Sequence, residues 1–346
     1  MPFTRLLLYI HLSAELRDQV RCPMQATLVF QLDLRLSLIV DISTTFLPSL
    51  LTTDQLHCLN TLTLPTDRSI TASTMASPSQ EIVTTNELVT GPPGIEMLRL
   101  SNITEQTSVE ALDLGCGGGI ITTKLLEWTS NIKRIVAGDI DDEMLAIVTS
   151  KRDSETNNNW SLVEIQKMNQ TSIPHPPSTF THVLNNFAIF FLPDDTQALA
   201  ETHRVLKPSG QAGFTSWKSI AWWTAVAEPA LSQNLSEAPK LPNPSGMFGA
   251  SGWGNEDAIR AKLEKAEFRD VRVSEFKFAP MVEAVSFAKA TAFLVKGVAR
   301  RVWSEEYLGK FGGRIEEAIL KYLRENFTDG VWDGEMTAII SLGTKE

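Results

Sequence analysis

The sequence predicts an α/β fold in which a parallel sheet carries helices on both faces. Short apolar runs bounded by turn residues, as at 109–114 and 132–139, are typical of buried strands. Stretches with apolar residues at helical spacing separate these runs, so that strands and helices alternate along the chain. A glycine-rich turn at 115–119 joins the first of these strands to the helix that follows it.

The other elements follow in a regular order. Pro92-Pro93-Gly94 predicts the start of a helix over 95–100. Asp194, with Gln197 three residues later, predicts a capping box at the start of another helix, which Pro208-Ser209-Gly210 ends. Further strands are expected at 162–165, 180–184, 212–217, 270–278 (with a bulge) and 336–342, and further helices after Asp141, after Asn255, at 282–302 and at 314–327.

The composition restricts the function classes. The 346 residues carry a net charge of −10 and the pI is near 5.1, which argues against broad binding of nucleic acids or anionic membranes. The cysteines, Cys22, Cys58 and Cys116, have neither metal nor redox spacing, so we expect no metal site and a cytoplasmic protein. Charges interrupt the apolar stretch at 26–51, so we expect no membrane span.

Residues 1–74 differ in composition from the rest of the chain. They contain no Gly, Lys or Trp, whereas all twenty glycines lie from Gly91 onward. The sequence Met-Ala-Ser-Pro from Met75 has the form of an ordinary protein start. We therefore expect 1–74 to be an extension, either disordered or wrongly assigned to the protein, and 75–346 to be the functional domain. A targeting or membrane-associating segment and a genuine subdomain remain alternatives for 1–74.

The glycine turn carries the strongest functional signal. Asp113, Gly115, Gly117 and Gly119 occupy alternate positions. Glycine is favoured where φ is positive or where a ligand lies against bare backbone, and the helix start that follows offers free N–H groups to a ligand. A dinucleotide fingerprint, Gly-x-Gly-x-x-Gly, would need glycine at position 120, which is Ile120. The pattern therefore disfavours a nicotinamide-dependent reductase, which remains the first alternative.

An acidic residue follows the second predicted strand at a spacing typical of nucleoside binding. Asp139 lies twenty residues after Gly119, where its carboxylate can accept both hydroxyls of a ribose. The alternative is a cap at the start of the next helix. Ile140 is then placed to pack on an adenine face.

Four motifs in this order together resemble class I S-adenosylmethionine (SAM) dependent methyltransferases. They are Asp-Leu-Gly-Cys-Gly-Gly-Gly at 113–119, Met-Asn-Gln-Thr-Ser-Ile-Pro at 168–174, Phe-Thr-His-Val at 180–183 and Arg-Val-Leu-Lys-Pro-Ser-Gly at 204–210. The chain is most similar to methyltransferases of the ubiquinone and menaquinone biosynthesis type and to their fungal relatives in secondary metabolism. The resemblance, which spans 75–346, implies a Rossmann-like doubly wound sheet of seven strands with the last strand antiparallel, and helical insertions over the active site.

The resemblance also implies SAM as the cofactor and a set of residues around it. Asn169 stands where the family has an acidic residue that bonds to the adenine amino group; its carbonyl can accept the same bond, and the alternative is a turn asparagine. Asn185-Asn186-Phe187 departs from the Asn-Pro-Pro-Tyr of nucleic-acid amino methyltransferases, which favours a small-molecule acceptor. The expected cofactor-binding residues are Asp113, Gly115, Cys116, Gly117, Gly119, Asp139, Ile140, Asn169, Gln170 and Asn185.

The sequence gives weaker signals for residues that bind the acceptor or take part in catalysis. His182, in the fourth predicted strand, is the candidate for a catalytic base, and core packing is its alternative. Aromatic residues after the fifth strand are expected to line the acceptor pocket, although core packing could account for half of them. Methyl transfer from SAM does not demand a base, because in-line placement of the acceptor can supply much of the rate. The expected pocket residues are Trp217, Trp222, Phe248 and Trp253.

These observations predict a SAM-dependent methyltransferase that acts on an oxygen, nitrogen or carbon atom of a small organic molecule, in secondary metabolism. A non-catalytic regulatory protein that resembles methyltransferases is the second alternative. The sequence leaves the acceptor and the oligomeric state open.

Overall fold

The computed structural model describes residues 78–128, 130–154, 158–244, 252–327 and 330–346. The predictions for 1–74 and for Phe248 fall outside these ranges. The structural statements below concern the described residues.

A seven-stranded sheet with the order β3-β2-β1-β4-β5-β9-β6 forms the centre of the fold. Strands β1 to β5 are parallel to one another, whereas β9 is antiparallel to both β5 and β6. The predicted sheet with an antiparallel last strand is therefore confirmed. The strands are β1 Val109–Leu114, β2 Ile132–Asp139, β3 Val163–Lys167, β4 Phe180–Asn186, β5 Leu206–Ser219, β6 Arg269–Phe278 and β9 Met336–Thr344, with a separate pair of β7 Val282–Glu283 and β8 Val331–Trp332.

Helices cover both faces of this sheet. Leu112 and Leu114 of β1 belong to one apolar core, whereas Val109 and Ala111 belong to a second. Because alternate residues of a strand point to opposite faces, the two cores lie on the two sides of the sheet, as the doubly wound prediction requires. The helices are α1 Pro78–Leu100, α2 Ile120–Trp128, α3 Asp142–Ser154, α4 Asp195–Val205, α5 Glu228–Asn234, α6 Glu256–Lys265, α7 Ala284–Val302, α8 Glu305–Phe311 and α9 Ile315–Asn326.

Helix α1 is much longer than the sequence predicts. The prediction placed its start at Pro92-Pro93, but both prolines lie inside a helix that begins at Pro78. Proline inside a helix removes a hydrogen bond and crowds the preceding turn, so tertiary packing must compensate. A Cβ atom added to Gly94 would lie 2.6 Å from Ile121 Cδ1, and one added to Gly118 would lie 2.4 Å from Val83 Cγ1. The helix is therefore packed closely against α2 and the glycine turn.

Strand β5 also departs from the prediction. It begins at Leu206, so that Pro208-Ser209-Gly210 lies within the strand and not in a loop before it. Ser209 has a φ of 62°, and its N–H donates to the Lys345 carbonyl at 2.8 Å. Pairing with the end of the chain thus extends the strand through its turn-forming residues. The register of β6 shifts between Arg269 and Arg272, and its pairing with β9 is regular from Arg272 to Phe278. The sequence pattern placed the bulge between Val273 and Phe276, so its predicted position is corrected.

The packing of α1 leads to a prediction about the predicted domain boundary. A chain that begins at Met75 retains all of α1, including its Glu81–Lys289 ion pair at 2.9 Å, and should unfold at the same temperature as the full chain. A chain that begins at Ser101 lacks α1 and leaves the partners of the buried Met97 and Leu98 exposed. Because each buried side chain of this size contributes roughly 1.5–3 kcal/mol, the shorter chain should lose cooperative unfolding in a calorimetric scan. A large fall in melting temperature for the chain from Met75 would show that 1–74 belongs to the domain.

Candidate active site

The glycine turn between β1 and α2 has the backbone geometry for which glycine is required. Gly115, Gly117 and Gly119 have φ values of 78°, 51° and 85°, in the left-handed region that other residues seldom adopt. A Cβ atom at Gly115 would lie 2.5 Å from Ala188 Cβ, whereas one at Gly117 would meet no atom within 4 Å. Gly115 thus packs against the protein, and Gly117 presents bare backbone to open space.

Asp139 joins this turn to the end of β2. Its Oδ2 accepts the Gly117 N–H at 2.9 Å, and its Oδ1 accepts the Asp141 N–H at 3.0 Å. The carboxylate therefore holds the turn and the residue before α3. The cap of α3 is Asp141, whose Oδ1 accepts the N–H groups of Glu143 and Met144 at 2.8 and 3.4 Å. The Asp139 carboxylate remains half-buried, and each of its oxygens keeps a further lone pair for a ligand.

Asp113 lies buried beneath the turn. Its Oδ2 accepts both the N–H and the hydroxyl of Thr122, at 3.0 and 2.8 Å, while its Oδ1 has no partner among the described residues. Burial raises the pKa of this carboxyl to about 7 against the opposing effect of the Thr122 hydrogen bonds, and the charges of Asp139 and Glu87 raise it further. Because the folded-state pKa exceeds the ordinary value of 3.8, this group contributes less to folding stability as the pH rises from 3.8 to about 7.

A cavity of about 160 Å³ lies between the glycine turn and α1. Glu87 lines it and pairs with Lys151 at 3.0 Å, so the charges of these two side chains offset each other. The charge of Asp139 nearby raises the pKa of the Asp113 carboxyl. Asp139 thus contributes a negative charge beside the cavity. The lining residues are Val83, Asn86, Glu87, Thr90, Gly115, Cys116, Gly117, Gly118, Ile120, Ile121, Met144 and Asn186.

A second cavity, of about 240 Å³, lies beyond the first and is mostly apolar. Asn86 and Thr90 of α1 line both cavities, so this part of the helix forms their common border. Helix α7 supplies part of the wall, which places an inserted segment over the site as expected. The lining residues are Thr85, Asn86, Val89, Thr90, Phe187, Phe190, Phe191, Trp217, Trp222, Phe287, Ala290, Thr291 and Leu294.

The end of β4 is held in a strained conformation between the two cavities. Phe187 has a φ of 56°, which costs a non-glycine residue on the order of 1–3 kcal/mol. Its N–H donates to Thr215 Oγ1 at 2.9 Å, and the Thr215 hydroxyl donates to Asn186 Oδ1 at 2.7 Å. The Phe187 ring stacks on Trp217 with 4.0 Å between centroids. These contacts hold Asn186 at the first cavity and Phe187 at the second.

Comparison with known proteins agrees with this architecture. A sequence model of the family described as "Methyltransferase domain" matches residues 112–214, which run from β1 through the glycine turn and into β5. The chain thus carries a SAM-dependent methyltransferase domain. The methyltransferase tpcH of Aspergillus fumigatus is 26% identical to it over 241 residues, which are 68% of this chain and 84% of that protein.

Two further relatives show how far the similarity extends. The methyltransferase ktnA of Aspergillus niger is 24% identical over 255 residues, covering 67% of this chain and 82% of that protein. A demethylmenaquinone methyltransferase of Bacillus licheniformis is 34% identical over 101 residues, covering 29% of this chain and 41% of that protein. None of these three relatives is described as a reductase or a regulatory protein, so the comparisons favour neither alternative from the sequence.

The structure places the predicted cofactor residues of this methyltransferase in different surroundings. Gly115, Cys116 and Gly117 line the first cavity. Gly119 is buried at the start of α2, and Ile140 is 63% exposed just after β2. Burial, with the charge of Asp113, raises the pKa of the free Cys116 thiol well above its usual value, so the thiol stays protonated.

Three predicted amide residues make contacts within the protein. Asn169 Oδ1 accepts the N–H and hydroxyl of Thr171 at 3.0 and 2.9 Å. These bonds form a local turn, which the sequence analysis gave as the alternative to a contact with adenine. Asn185 is fully buried; its Oδ1 accepts the Ile189 N–H at 2.8 Å, and its Nδ2 donates to Gln170 Oε1 at 2.7 Å. Asn185 and Gln170 thus support the chain beside the glycine turn.

His182 does not lie at the cofactor or acceptor cavity. It pairs in register with Ala111, four residues before the carboxyl end of β4, and lines a separate cavity beside Ser101 and Gln211. Burial lowers its pKa to about 4, so the ring is neutral near neutral pH. The prediction that His182 is a base near the ligand-facing edge is therefore corrected.

The aromatic residues predicted for the acceptor pocket lie in different places. Trp217 and Trp222 line the second cavity. Trp253 instead lies in the core, where it packs against Phe214 and its Nε1 donates to Asp195 Oδ2 at 2.8 Å. Its assignment to the acceptor pocket is therefore corrected, and core packing, the stated alternative, applies.

Several lining residues escaped the sequence analysis. Asn86 and Thr90 lie in the part of α1 before Pro92 and Pro93, where the sequence did not predict a helix. Asn186 was noted with Asn185, but nothing in the sequence distinguished the one that lines the cavity. Thr215 is an ordinary strand residue by pattern, and only the position of Phe187 reveals its role.

The described ranges contain neither a cluster of metal-binding side chains nor a helix suited to span a membrane. No group of three or more His, Cys, Asp or Glu side chains there could hold a metal ion. None of the helices in those ranges is long and apolar enough to cross a membrane.

The Thr215 network leads to a prediction about stability. Thr215→Val keeps the shape but removes the hydroxyl that serves Phe187 N–H and Asn186, so it should lower the free energy of unfolding by about 1–3 kcal/mol in a urea titration. Thr202→Val is the matched control, because Thr202 is equally buried and its hydroxyl has no partner among the described residues. The control should be neutral or stabilising. Equal losses in both variants would show that the Thr215 hydrogen bonds do not hold the strained residue.

Proposed function

We propose that this methyltransferase binds SAM in the cavity at the glycine turn and a small organic acceptor in the apolar cavity, and that it acts in secondary metabolism. The observation that carries the proposal is the common border: Asn86 and Thr90 line both cavities. A donor in one cavity and an acceptor in the other would meet at this border. Placement of this kind can account for much of the rate of a group transfer.

The residues at the glycine turn suit SAM. Bound there, SAM would supply a methyl group on a positively charged sulfonium. The open space beside Gly117 gives a ligand direct access to backbone, and the carboxylate of Asp139, which bonds to the turn, favours a cation nearby.

Individual roles follow from position and hydrogen-bonding capacity. We assign Asp139 to the ribose hydroxyls, because its half-buried carboxylate already bonds to Gly117 at 2.9 Å and keeps free lone pairs. Ile140, exposed beside it, suits an adenine face. Asn169 could reach the adenine amino group only with an oxygen that already accepts two bonds from Thr171, so its role is the least supported.

The relatives and the net charge of the chain indicate its metabolic role and its class of acceptor. Similarity to the two Aspergillus methyltransferases over more than four fifths of their lengths supports a place in fungal secondary metabolism. The net charge of −10 supports a small-molecule acceptor over a nucleic acid. We further propose that 75–346 is the functional domain and that the protein works in the cytoplasm. Extracts incubated with isotope-labelled SAM should yield products heavier by one methyl group, which a purely regulatory protein would not form.

The cofactor site can be tested without knowing the acceptor. Gly117→Val should abolish SAM binding in titration calorimetry, because the side chain would fill the space beside the turn. Gly330→Val is the matched control: Gly330 also has a positive φ, 67°, and open space around its Cβ position, but it lies outside the cavity. Both variants carry similar strain, so both should lose stability, and only the first should lose SAM.

A second variant tests the proposed ribose contact. Asp139→Ala should weaken SAM binding by about 1.5–3 kcal/mol, the usual range for a hydrogen bond to a charged group. Unchanged SAM affinity in both Gly117→Val and Asp139→Ala would contradict the placement of the cofactor.

A further inference from the structure

We propose that the apolar cavity takes an uncharged aromatic ring system that bears a polar substituent, and that the Asn86 side-chain amide binds this substituent at the border of the two cavities. The proposal rests on the proposed function, since it names the class of acceptor for that site. It is carried by three features of the described residues: the chemistry of the cavity lining, the support behind its aromatic walls, and the free amide of Asn86.

The lining of the cavity disfavours a charged ligand. None of the thirteen residues that line it in the described part of the chain carries a formal charge, and six are aromatic. A charged group moved from water into such surroundings loses its hydration without gaining a partner. A flat aromatic ligand instead gains dispersion and ring-stacking contacts with the walls. The cavity therefore selects for ring systems without charge.

The aromatic walls are held in place by rings behind them. Phe287 stacks on Trp332 with 4.1 Å between centroids and 13° between planes, and Trp332 is fully buried. Phe187 stacks on Trp217 at 4.0 Å. Trp222 meets Trp223 edge to face at 5.8 Å. Because the walls are packed before any ligand arrives, binding a ring costs little side-chain ordering.

Few polar residues line the cavity. Of its four polar residues, Thr85 and Thr291 line only the apolar cavity, whereas Asn86 and Thr90 also line the cofactor cavity. The Thr90 hydroxyl already donates to the Asn86 main-chain carbonyl at 3.0 Å. The Asn86 side-chain amide makes no hydrogen bond to any described residue. It can donate and accept, which suits a hydroxyl or an amino group on the ring.

This arrangement predicts selectivity that can be measured without SAM. The full chain is titrated with 2-naphthol, naphthalene and 2-naphthalenesulfonate, and binding is followed by calorimetry. We expect 2-naphthol to bind at least tenfold more tightly than the sulfonate, because only the sulfonate must bury a charge. Ala290→Phe, which fills the cavity, should weaken 2-naphthol binding at least tenfold and so locate the probe. Equal affinities for 2-naphthol and the sulfonate, or no effect of Ala290→Phe, would overturn the proposal.

The hydrogen bond of the Asn86 amide is distinguished from packing by measuring each Asn86 variant with a ligand that bears a hydroxyl and with one that lacks it. Asn86→Leu should weaken 2-naphthol binding by about three- to tenfold, as expected for the loss of a hydrogen bond, and should leave naphthalene binding unchanged. Thr291→Val is the control and should show no such dependence on the hydroxyl. Asn86→Ala serves as the second variant if the leucine disturbs folding. Equal losses for 2-naphthol and naphthalene in the Asn86 variants would show a packing role and overturn the assignment.

These outcomes are distinct from failure of the proposed function. Calorimetry of the unmodified chain with S-adenosylhomocysteine tests the cofactor cavity alone. Binding of S-adenosylhomocysteine without ring selectivity would overturn the inference and leave the function standing. Absence of that binding would instead overturn the function on which the inference rests.

Discussion

The hydrogen bond from Gly117 N–H to the Asp139 carboxylate joins the parts of the molecule on which the rest of the site depends. It connects the turn after β1 with the end of β2, so two neighbouring strands terminate in one fixed structure. The turn needs positive φ at alternate glycines, and the lack of a side chain at Gly118 lets Val83 of α1 approach closely. The cavity exists because this helix lies over a turn whose shape the carboxylate maintains.

Two cavities of different chemistry result from that packing. Backbone of the glycine turn and Glu87 line the first, and aromatic rings line the second, yet they share Asn86 and Thr90. The strained Phe187 stands between them, with its backbone held by Thr215. The sites proposed for the donor and the acceptor are thus adjacent, and strain is tolerated where the chain turns from one cavity to the other.

Features that depend on residues close together in the sequence were predicted correctly. The strand at 132–139 was found with its observed bounds, and the strand before the glycine turn with its observed start at Val109, because apolar runs and turn residues define these limits. Asp139 was found because its spacing from the glycine turn follows from the strand–helix–strand unit. Contacts distant in sequence were not predictable: packing on the turn keeps α1 helical through its prolines, and pairing with Lys345 lets β5 continue past the left-handed Ser209.

Residue identity alone also could not separate functional from structural roles. Trp217 and Trp253 are the same residue type, but Trp217 lines the apolar cavity and Trp253 donates to the Asp195 carboxylate. His182 had the chemistry of a base, but the register of β4 places it away from both cavities. Only the three-dimensional arrangement decides such cases.

A crystal structure of the full chain with S-adenosylhomocysteine tests the central claim most directly. The account predicts that the ribose contacts Asp139 and that the sulfur faces the border formed by Asn86 and Thr90; a ligand bound elsewhere, or a sulfur directed away from the apolar cavity, would contradict it.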